Sequence, residues 1–397
     1  MGNFDAEVDG GTSLMTTKKR ITFFMDALHG GGAEKVVVNL LQGLAQRDEF
    51  DLDLVLATME GPYLDLVPPQ VRIVDLKKGR VLTSVLLLKN YLQQYRPWAL
   101  IGNMGHVNVV ATLAKELSGI QTRLLLVEHN NLSANKTRLK RAKLVPYFMR
   151  LLYPRADVVA GVSAGVAQDL EQQLKLKKTV EVLYNPVVNE DLIIKSQANL
   201  DHPWFGADTP PVFLAVGRLN PQKDFPNLLN AFARVRKQQP ARLIILGEGQ
   251  ERQKLATIID DLGIGEDVSL PGFVKNPYAF MTKANCLVLS SRDEGLPTVL
   301  IEAMACGCPV VATDCPSGPD EILDYGTYGS LVPVADFEAL AEAMLQTLSN
   351  PLAKATLVER ANCYSTDKVV DRYLSLLDDC QKQQDIAAPI GSGDSRV

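Results

Sequence analysis

Short, unbroken apolar runs alternate along this chain with longer stretches in which apolar residues return every three or four positions. The runs Ile21–Met25, Thr122–Val127, Val212–Val216 and Cys286–Leu289 show no polar–apolar alternation. They predict strands buried on both faces, as in a parallel sheet. The periodic stretches, such as Val36, Val37, Leu40, Leu41 and Leu44, predict helices with one apolar face. Further strands are predicted at Leu52–Ala57, Val71–Val74, Ala99–Ile101, Asp157–Ala160, Val180–Leu183, Leu243–Leu246, Val268–Leu270 and Pro309–Ala312. Further helices are predicted at Val81–Tyr95, Val107–Leu117, from Ser163 to about Gln173, and as two segments after Glu321 ending near Gln384. Strands alternating with helices make this an α/β chain.

A length of 397 residues implies two domains. The expected boundaries are a polar, disordered leader over 1–17, a first domain over 18–186 and a linker over 187–211 with three prolines. A second domain follows over 212–365, then a helix over 366–384 and a disordered tail over 385–397. The sequence leaves open whether that helix returns to the first domain.

Charge and cysteine content narrow the class. A net charge of −5 argues against general nucleic-acid binding. No apolar run reaches the roughly 18 residues of a membrane span, and none near the start has the form of a secretory signal. A cytoplasmic location is expected. The six cysteines, Cys286, Cys306, Cys308, Cys315, Cys363 and Cys380, lack a CxxC pair or a nearby histidine. They are read as reduced thiols, and no metal site is expected.

The chemistry centres on Ser290–Thr313, SSRDEGLPTVLIEAMACGCPVVAT. A strand end, a charged turn and Pro297 lead into an apolar helix, which Gly307 closes. Glu294 falls in the turn and Glu302 inside the helix. On one continuous helix, eight steps would separate them by roughly 12 Å. Paired glycosidase acids stand within about 5–9.5 Å, so separate roles are expected. The helix start offers amides at Gly295, Leu296, Thr298 and Val299, a setting that attracts phosphate.

Other candidates lie at strand ends, where open α/β sheets bind ligands. His29-Gly30-Gly31-Gly32-Ala33-Glu34 follows the first strand as a glycine turn, without the spacing of a dinucleotide or Walker loop. Glu128-His129-Asn130-Asn131 follows another, making His129 a candidate. Arg218 and Lys223 share a strand-to-helix turn and can converge on one diphosphate. Between Lys136 and Arg155 there are seven cations and no acid. Lys136, Lys140, Lys143 and Arg150 would form one helical stripe, with Leu144, Phe148, Leu151 and Leu152 on another side. Such a helix is expected to meet anionic lipid or a lipid-linked diphosphate.

The string D-E-G-L-P-x-x-x-x-E-A-M-A-x-G-x-P-V-V-A-T resembles the signature of family 4 glycosyltransferases, which have the GT-B fold of two Rossmann-like domains. The resemblance covers roughly residues 20–380. It implies retaining transfer from a nucleotide sugar, with the glycine turn at Gly31 and Gly32 facing the cleft between donor and acceptor. It implies that Arg218 and Lys223 hold the diphosphate, Val274 meets the base, Glu294 binds hydroxyls near C3 and C4 of the sugar, and Glu302 holds the ribose. It places His129 near the sugar 6-hydroxyl. No cofactor is expected, and no Asp-x-Asp marks a metal. The Glu128–Asn130 cluster with Ser317-Gly318-Pro319 looks like members that build lipid-linked oligosaccharides or surface polysaccharides. A UDP-linked hexose or N-acetylhexosamine donor and a lipid-linked or saccharide acceptor are the expected partners. A phosphorylase, a nucleotide-sugar epimerase and a catalytically silent nucleotide-sugar binder are the alternatives.

Overall fold

The computed structural model describes residues 18–133 and 144–387. The expected leader 1–17, most of the tail, and Lys136, Lys140 and Lys143 lie outside the described residues.

The apolar runs become two sheets in which every pairing is parallel. The first contains β1 (Lys19–Met25), β2 (Phe50–Leu56), β3 (Arg72–Asp75), β4 (Ala99–Asn103), β5 (Arg123–Glu128), β6 (Val158–Gly161) and β7 (Glu181–Val182), in the order β3-β2-β1-β4-β5-β6-β7. The second contains β8 (Val212–Val216), β9 (Arg242–Leu246), β10 (Val268–Gly272), β11 (Cys286–Leu289), β12 (Val310–Thr313) and β13 (Ser330–Val332), in the order β10-β9-β8-β11-β12-β13. Helices cover the strands, and residues such as Phe23, Leu125, Leu214 and Val311 are fully buried. Both domains are therefore Rossmann-like, as expected. In each sheet the order reverses beside the first strand, between β1 and β4 and between β8 and β11. Ligands of open parallel sheets bind at such reversals, beyond the carboxyl ends of the strands.

Glu128, the last residue of β5, braces the first domain. Its carboxyl accepts hydrogen bonds from the Tyr153 hydroxyl, from Asn108 Nδ2 at 2.7 Å and from the Gly105 amide. Those groups sit on or beside the helices Gly105–Ser118 and Leu144–Leu152. Burial pushes this carboxyl up to about 7, against the pull of its three donors.

Several elements differ from expectation. The segment 187–211 is structured. It holds the helix Glu190–Ser196, capped by Asn189, whose Oδ1 accepts from the Leu192 amide at 2.9 Å. That helix docks on the second domain, where Asn276 Nδ2 donates to the Lys195 carbonyl at 2.9 Å and Thr282 Oγ1 to the Ser196 carbonyl at 3.0 Å. Seven residues with one buried leucine are too few to display a helical period. Strand β13 is only three residues long and gave no readable run. Three helices follow Glu321, not two, at Phe337–Ser349, Lys354–Ala361 and Thr366–Ala387. Helix Thr298–Ala305 begins one residue after Pro297, which caps it from outside. Gly307 closes that helix at φ +74, with its amide on the Met304 carbonyl and the Cys308 amide on Ala303. In helix Leu144–Leu152, Phe148 and Leu151 do not belong to the buried side. They are 42% and 55% exposed, with Tyr147 at 66%, while Met149 and Leu152 carry the burial. The segment is apolar nearly all round, so its period could not tell which face turns inward. Arg150 is exposed on the same helix.

The chain crosses between domains twice, side by side. The Tyr364 carbonyl accepts from the amides of Val187 at 3.0 Å and Val188 at 3.2 Å, and the Thr366 amide donates to the Val188 carbonyl at 2.9 Å. Helix Thr366–Ala387 then lies on the first domain. Arg47 pairs with Asp371 at 2.7 Å, Lys19 with Asp378 at 3.1 Å and Arg372 with Glu181 at 2.8 Å. Gly43 permits the close packing of this helix, because a Cβ there would lie 2.5 Å from Thr366 Cγ2.

Gly43→Val should therefore destabilise the protein by about 1–3 kcal/mol through overpacking, read as a lower urea midpoint. Glu128 has a folded pKa of about 7, above its unfolded value near 4.5. Its contribution is full below the unfolded value and lost as pH rises through 7. Glu128→Gln should narrow the stability gap between pH 5 and pH 8 by as much as about 3 kcal/mol, checked by thermal melts across that range.

Candidate active site

Two loops of the second domain are tied together behind the reversal of its sheet. After β8 the chain turns through Pro221–Lys223, where Asn220 Oδ1 accepts from the Lys223 amide at 3.2 Å. After β11 it turns through Ser290–Glu294. Arg292 Nε donates to Asp224 Oδ2 at 2.8 Å, Gln222 Nε2 to the Asp293 carbonyl at 2.8 Å, and Ser290 Oγ to the Lys223 carbonyl at 2.7 Å. These bonds fix Lys223 against Glu294, with Nζ 2.6 Å from Oε1. Ser291 Oγ donates to the same oxygen at 2.6 Å. Both contacts fall on Oε1, which leaves Oε2 to another donor. Arg218, one turn earlier, stands exposed on the cleft wall.

The cleft between the domains has a volume of about 610 Å³. Gly31, Gly32, Lys35 and Tyr63 line it from the first domain, and Arg218, Val274, Tyr278, Thr298 and Glu302 from the second. Burial pushes the Glu302 carboxyl up to about 7, while Lys35 and Lys223 draw it down. Burial in turn lowers Lys35, with Asp191 and Glu302 acting to raise it. Glu302 is thus flanked by one cation from each domain. The glycine turn that lines the cleft is closed by its own helix. The Gly31 amide donates to the Glu34 carboxylate of its own helix, Gly32–Ala45. Gly32 has open space where a side chain would stand.

His129 lies just past β5 and is buried, with Nε2 3.2 Å from Asn103 Oδ1 at the end of β4. Burial holds the imidazole down to about 4, so it is neutral near pH 7. The tautomer of this imidazole follows the placement of the Asn103 amide, whose Nδ2 finds no partner among the described residues. Met104, beside Asn103, is held at φ +88, in the half of backbone space that side chains avoid.

The expected residues therefore fall in three groups. Gly31, Gly32, Arg218, Val274, Thr298 and Glu302 share the cleft wall. Lys223 and Glu294 form a pair at the adjoining reversal. At Gly295, Leu296 and Val299 the side-chain positions pack against protein, separately from the amides for which these residues were singled out. Gly295 packs on the His129 carbonyl, which a Cβ would overlap, Leu296 is buried, and Val299 packs on the core. Lys35, Tyr63, Asn103 and Tyr278 were not anticipated. Asn103 had a readable signal, since it ends the strand at the sheet reversal. Tyr63 and Tyr278 come from segments that no pattern linked to Glu302. Cys286, Cys306, Cys308 and Cys315 are buried free thiols. Among the described residues, no three His, Cys, Asp or Glu side chains converge as for a metal ion.

The profile for "Glycosyltransferase Family 4" matches residues 30–190, and that for "Glycosyl transferases group 1" matches residues 198–363. A Campylobacter jejuni enzyme, N-acetylgalactosamine-N,N'-diacetylbacillosaminyl-diphospho-undecaprenol 4-alpha-N-acetylgalactosaminyltransferase, is 30% identical over 343 residues, covering 84% of this chain and 91% of the relative. A second enzyme of that organism, which adds alpha-1,4-N-acetyl-D-galactosamine to a GalNAc-alpha-(1->4)-GalNAc-alpha-(1->3)-diNAcBac-PP-undecaprenol, is 26% identical over 90% of this chain and 98% of its own. Among solved structures, the lipopolysaccharide outer core galactosyltransferase WaaB superposes with a TM-score of 0.72 at 21% identity, covering 91% of this chain and 99% of that one. HepE of Anabaena, in complex with UDP, superposes with the same score at 19% identity, covering 91% and 100%. With the sheet orders and the strand-end residues described above, these matches identify the chain as a GT-B glycosyltransferase of family 4.

Proposed function

We propose that this glycosyltransferase moves a hexose or N-acetylhexosamine from a UDP-linked sugar to a lipid-linked or saccharide acceptor, with retention of configuration and without a metal ion. The observation that carries this reading is the cleft itself. Arg218, Lys223 and the start of helix Thr298–Ala305 lie at one sheet reversal, with Glu302 beside them.

Breaking the anomeric bond builds positive charge on the sugar and negative charge on the departing diphosphate. Arg218 and Lys223 are fixed complements to that negative charge, each contributing about 1.5–3 kcal/mol as a charge-assisted contact. The helix start adds roughly 0.3–1 kcal/mol. Glu302 accepts the ribose hydroxyls, and Glu294 uses Oε2 for hydroxyls of the transferred sugar. Neutral His129 hydrogen-bonds a sugar hydroxyl. The departing phosphate takes the acceptor's proton during attack on the same face, so no protein nucleophile enters the step. Tyr147, Phe148, Arg150 and Leu151 are exposed on one helix, beside the basic run that contains Lys136, Lys140 and Lys143. Aromatic and basic residues together suit the headgroup region of an anionic membrane, which supports a peripheral location on its cytoplasmic face. Two C. jejuni relatives named for diphospho-undecaprenol-linked substrates, and a UDP-bound structural neighbour, support the donor and acceptor classes.

The direct test is transfer from a panel of radiolabelled UDP sugars into an organic-extractable membrane fraction, with chelator present. Label in the lipid phase with one donor is expected. Complete loss of transfer with chelator would overturn metal independence, and epimerised donor with no transfer would overturn the reading itself. Lys223→Ala should lower kcat/KM by about 10- to 100-fold, more than Glu294→Asp does, in steady-state assays. Ribose hydroxyls donate to the ionised form of Glu302, whose pKa is about 7. UDP affinity should therefore weaken as pH falls from 8 to 6 in the unaltered protein and change less in Glu302→Gln, as read by calorimetry.

A further inference from the structure

The first domain grips the loop that carries Glu294. Asn131, three residues past the end of β5, donates through Nδ2 to the Glu294 carbonyl at 3.2 Å. The Ser317 hydroxyl sits across both ends of the same amide, 2.8 Å from Nδ2 and 3.0 Å from Oδ1. Ser163 Oγ caps helix Ala164–Leu174 by accepting from the Val166 amide at 3.2 Å, and it donates to the Gly295 carbonyl at 2.8 Å. Glu321 reaches the opposite way. Its Oε1 accepts from the Gly165 amide at 3.2 Å, and its carboxyl is also bonded by Tyr184.

Two glycines make this approach sterically feasible. Gly295 lies on the His129 carbonyl, and Gly165 lies on Ser317. Ser317 and Gly318 turn through φ +71 and φ +98, so this turn occupies backbone space that an ordinary loop avoids. A serine held there while bonded across the domain boundary is over-determined by its partners. None of Asn131, Ser163, Ser317 or Glu321 lines the donor cleft.

We propose that Asn131 and Ser163 are positioning residues for the transfer. They hold the Glu294–Gly295 backbone in register with His129, so the acceptor-side domain sets the geometry in which the donor sugar is attacked. Ser317 and Glu321 are their counterparts on the donor-side domain. The proposal rests on the reading that Glu294 binds the transferred sugar.

The test uses the full chain with Asn131→Ala, Ser317→Ala and the double variant. UDP affinity is read by calorimetry, turnover with the donor that the panel identifies, and amide hydrogen exchange at residues 164–166. Turnover is expected to fall about 10-fold in each single variant and little further in the double, because the two side chains act through one contact. UDP affinity is expected to stay within about threefold, since neither residue borders the cleft. Exchange at 164–166 is expected to rise as the loosened domain contact lets the Gly165 amide part from Glu321 more often. Turnover within about twofold of the unaltered protein in both single variants would overturn the proposal. A loss of UDP affinity as large as the loss of turnover would overturn it too, making these residues binding groups. Undiminished UDP affinity in Arg218→Ala and Lys223→Ala would instead sink the donor-site reading, and this proposal with it.

Discussion

Parallel strands covered on both faces have nowhere to place polar chemistry except at their ends. Both sheets of this protein follow that constraint closely, and the arrangement of the molecule follows from it. The interior positions of β5, β8 and β11 are occupied by fully or nearly fully buried apolar side chains, while in the first sheet Thr22 of β1 and Asp53 of β2 are buried mid-strand and are satisfied by Tyr91 and Arg72. Arg218, Lys223, His129, Asn103 and Glu294 all come just at or after a strand terminus. Each sheet reverses its order once beside its first strand, so each offers one crevice. Setting the two crevices face to face yields a single cleft whose walls belong to different domains.

Charge inside that cleft is arranged as alternating neighbours. Lys35 from the first domain and Lys223 from the second flank Glu302, and Lys223 also bears on Glu294. Partly buried carboxylates and ammonium groups at such spacing stabilise one another, and each would be costly alone. The same groups can exchange their protein partners for the diphosphate and hydroxyls of a ligand with little net change in charge. His129 stands outside this network because burial keeps it neutral.

Much of this was legible in the sequence. Strand Cys286–Leu289 and strand Val212–Val216 fall where their unbroken apolar runs predicted. The glycine at 307 marked its helix end because only a left-handed residue suits that position. Other features were hidden for physical reasons. Helix Glu190–Ser196 is stabilised by docking and by its cap, not by a period of its own. The exposure of Phe148 depends on which side of an almost wholly apolar helix meets the domain. At the glycine turn the glycines were legible and the return of Glu34 onto the Gly31 amide was not. Lys35 and Tyr63 meet Glu302 only after the domains are set face to face, Tyr278 reaches it from a neighbouring helix of its own domain, and no local pattern encodes either encounter.

The paired crossings at Val187–Val188 and Tyr364–Thr366 are hydrogen-bonded to each other, so the two domains are joined along one line. Pro186 and Val187 border the cleft, as does Val274, whereas Asn131 and Ser317 meet beside the Glu294 carbonyl. Two crossings held side by side leave one line about which the domains could turn, like the back of a jaw, and the Asn131–Ser317 contact is then a clasp between its two halves.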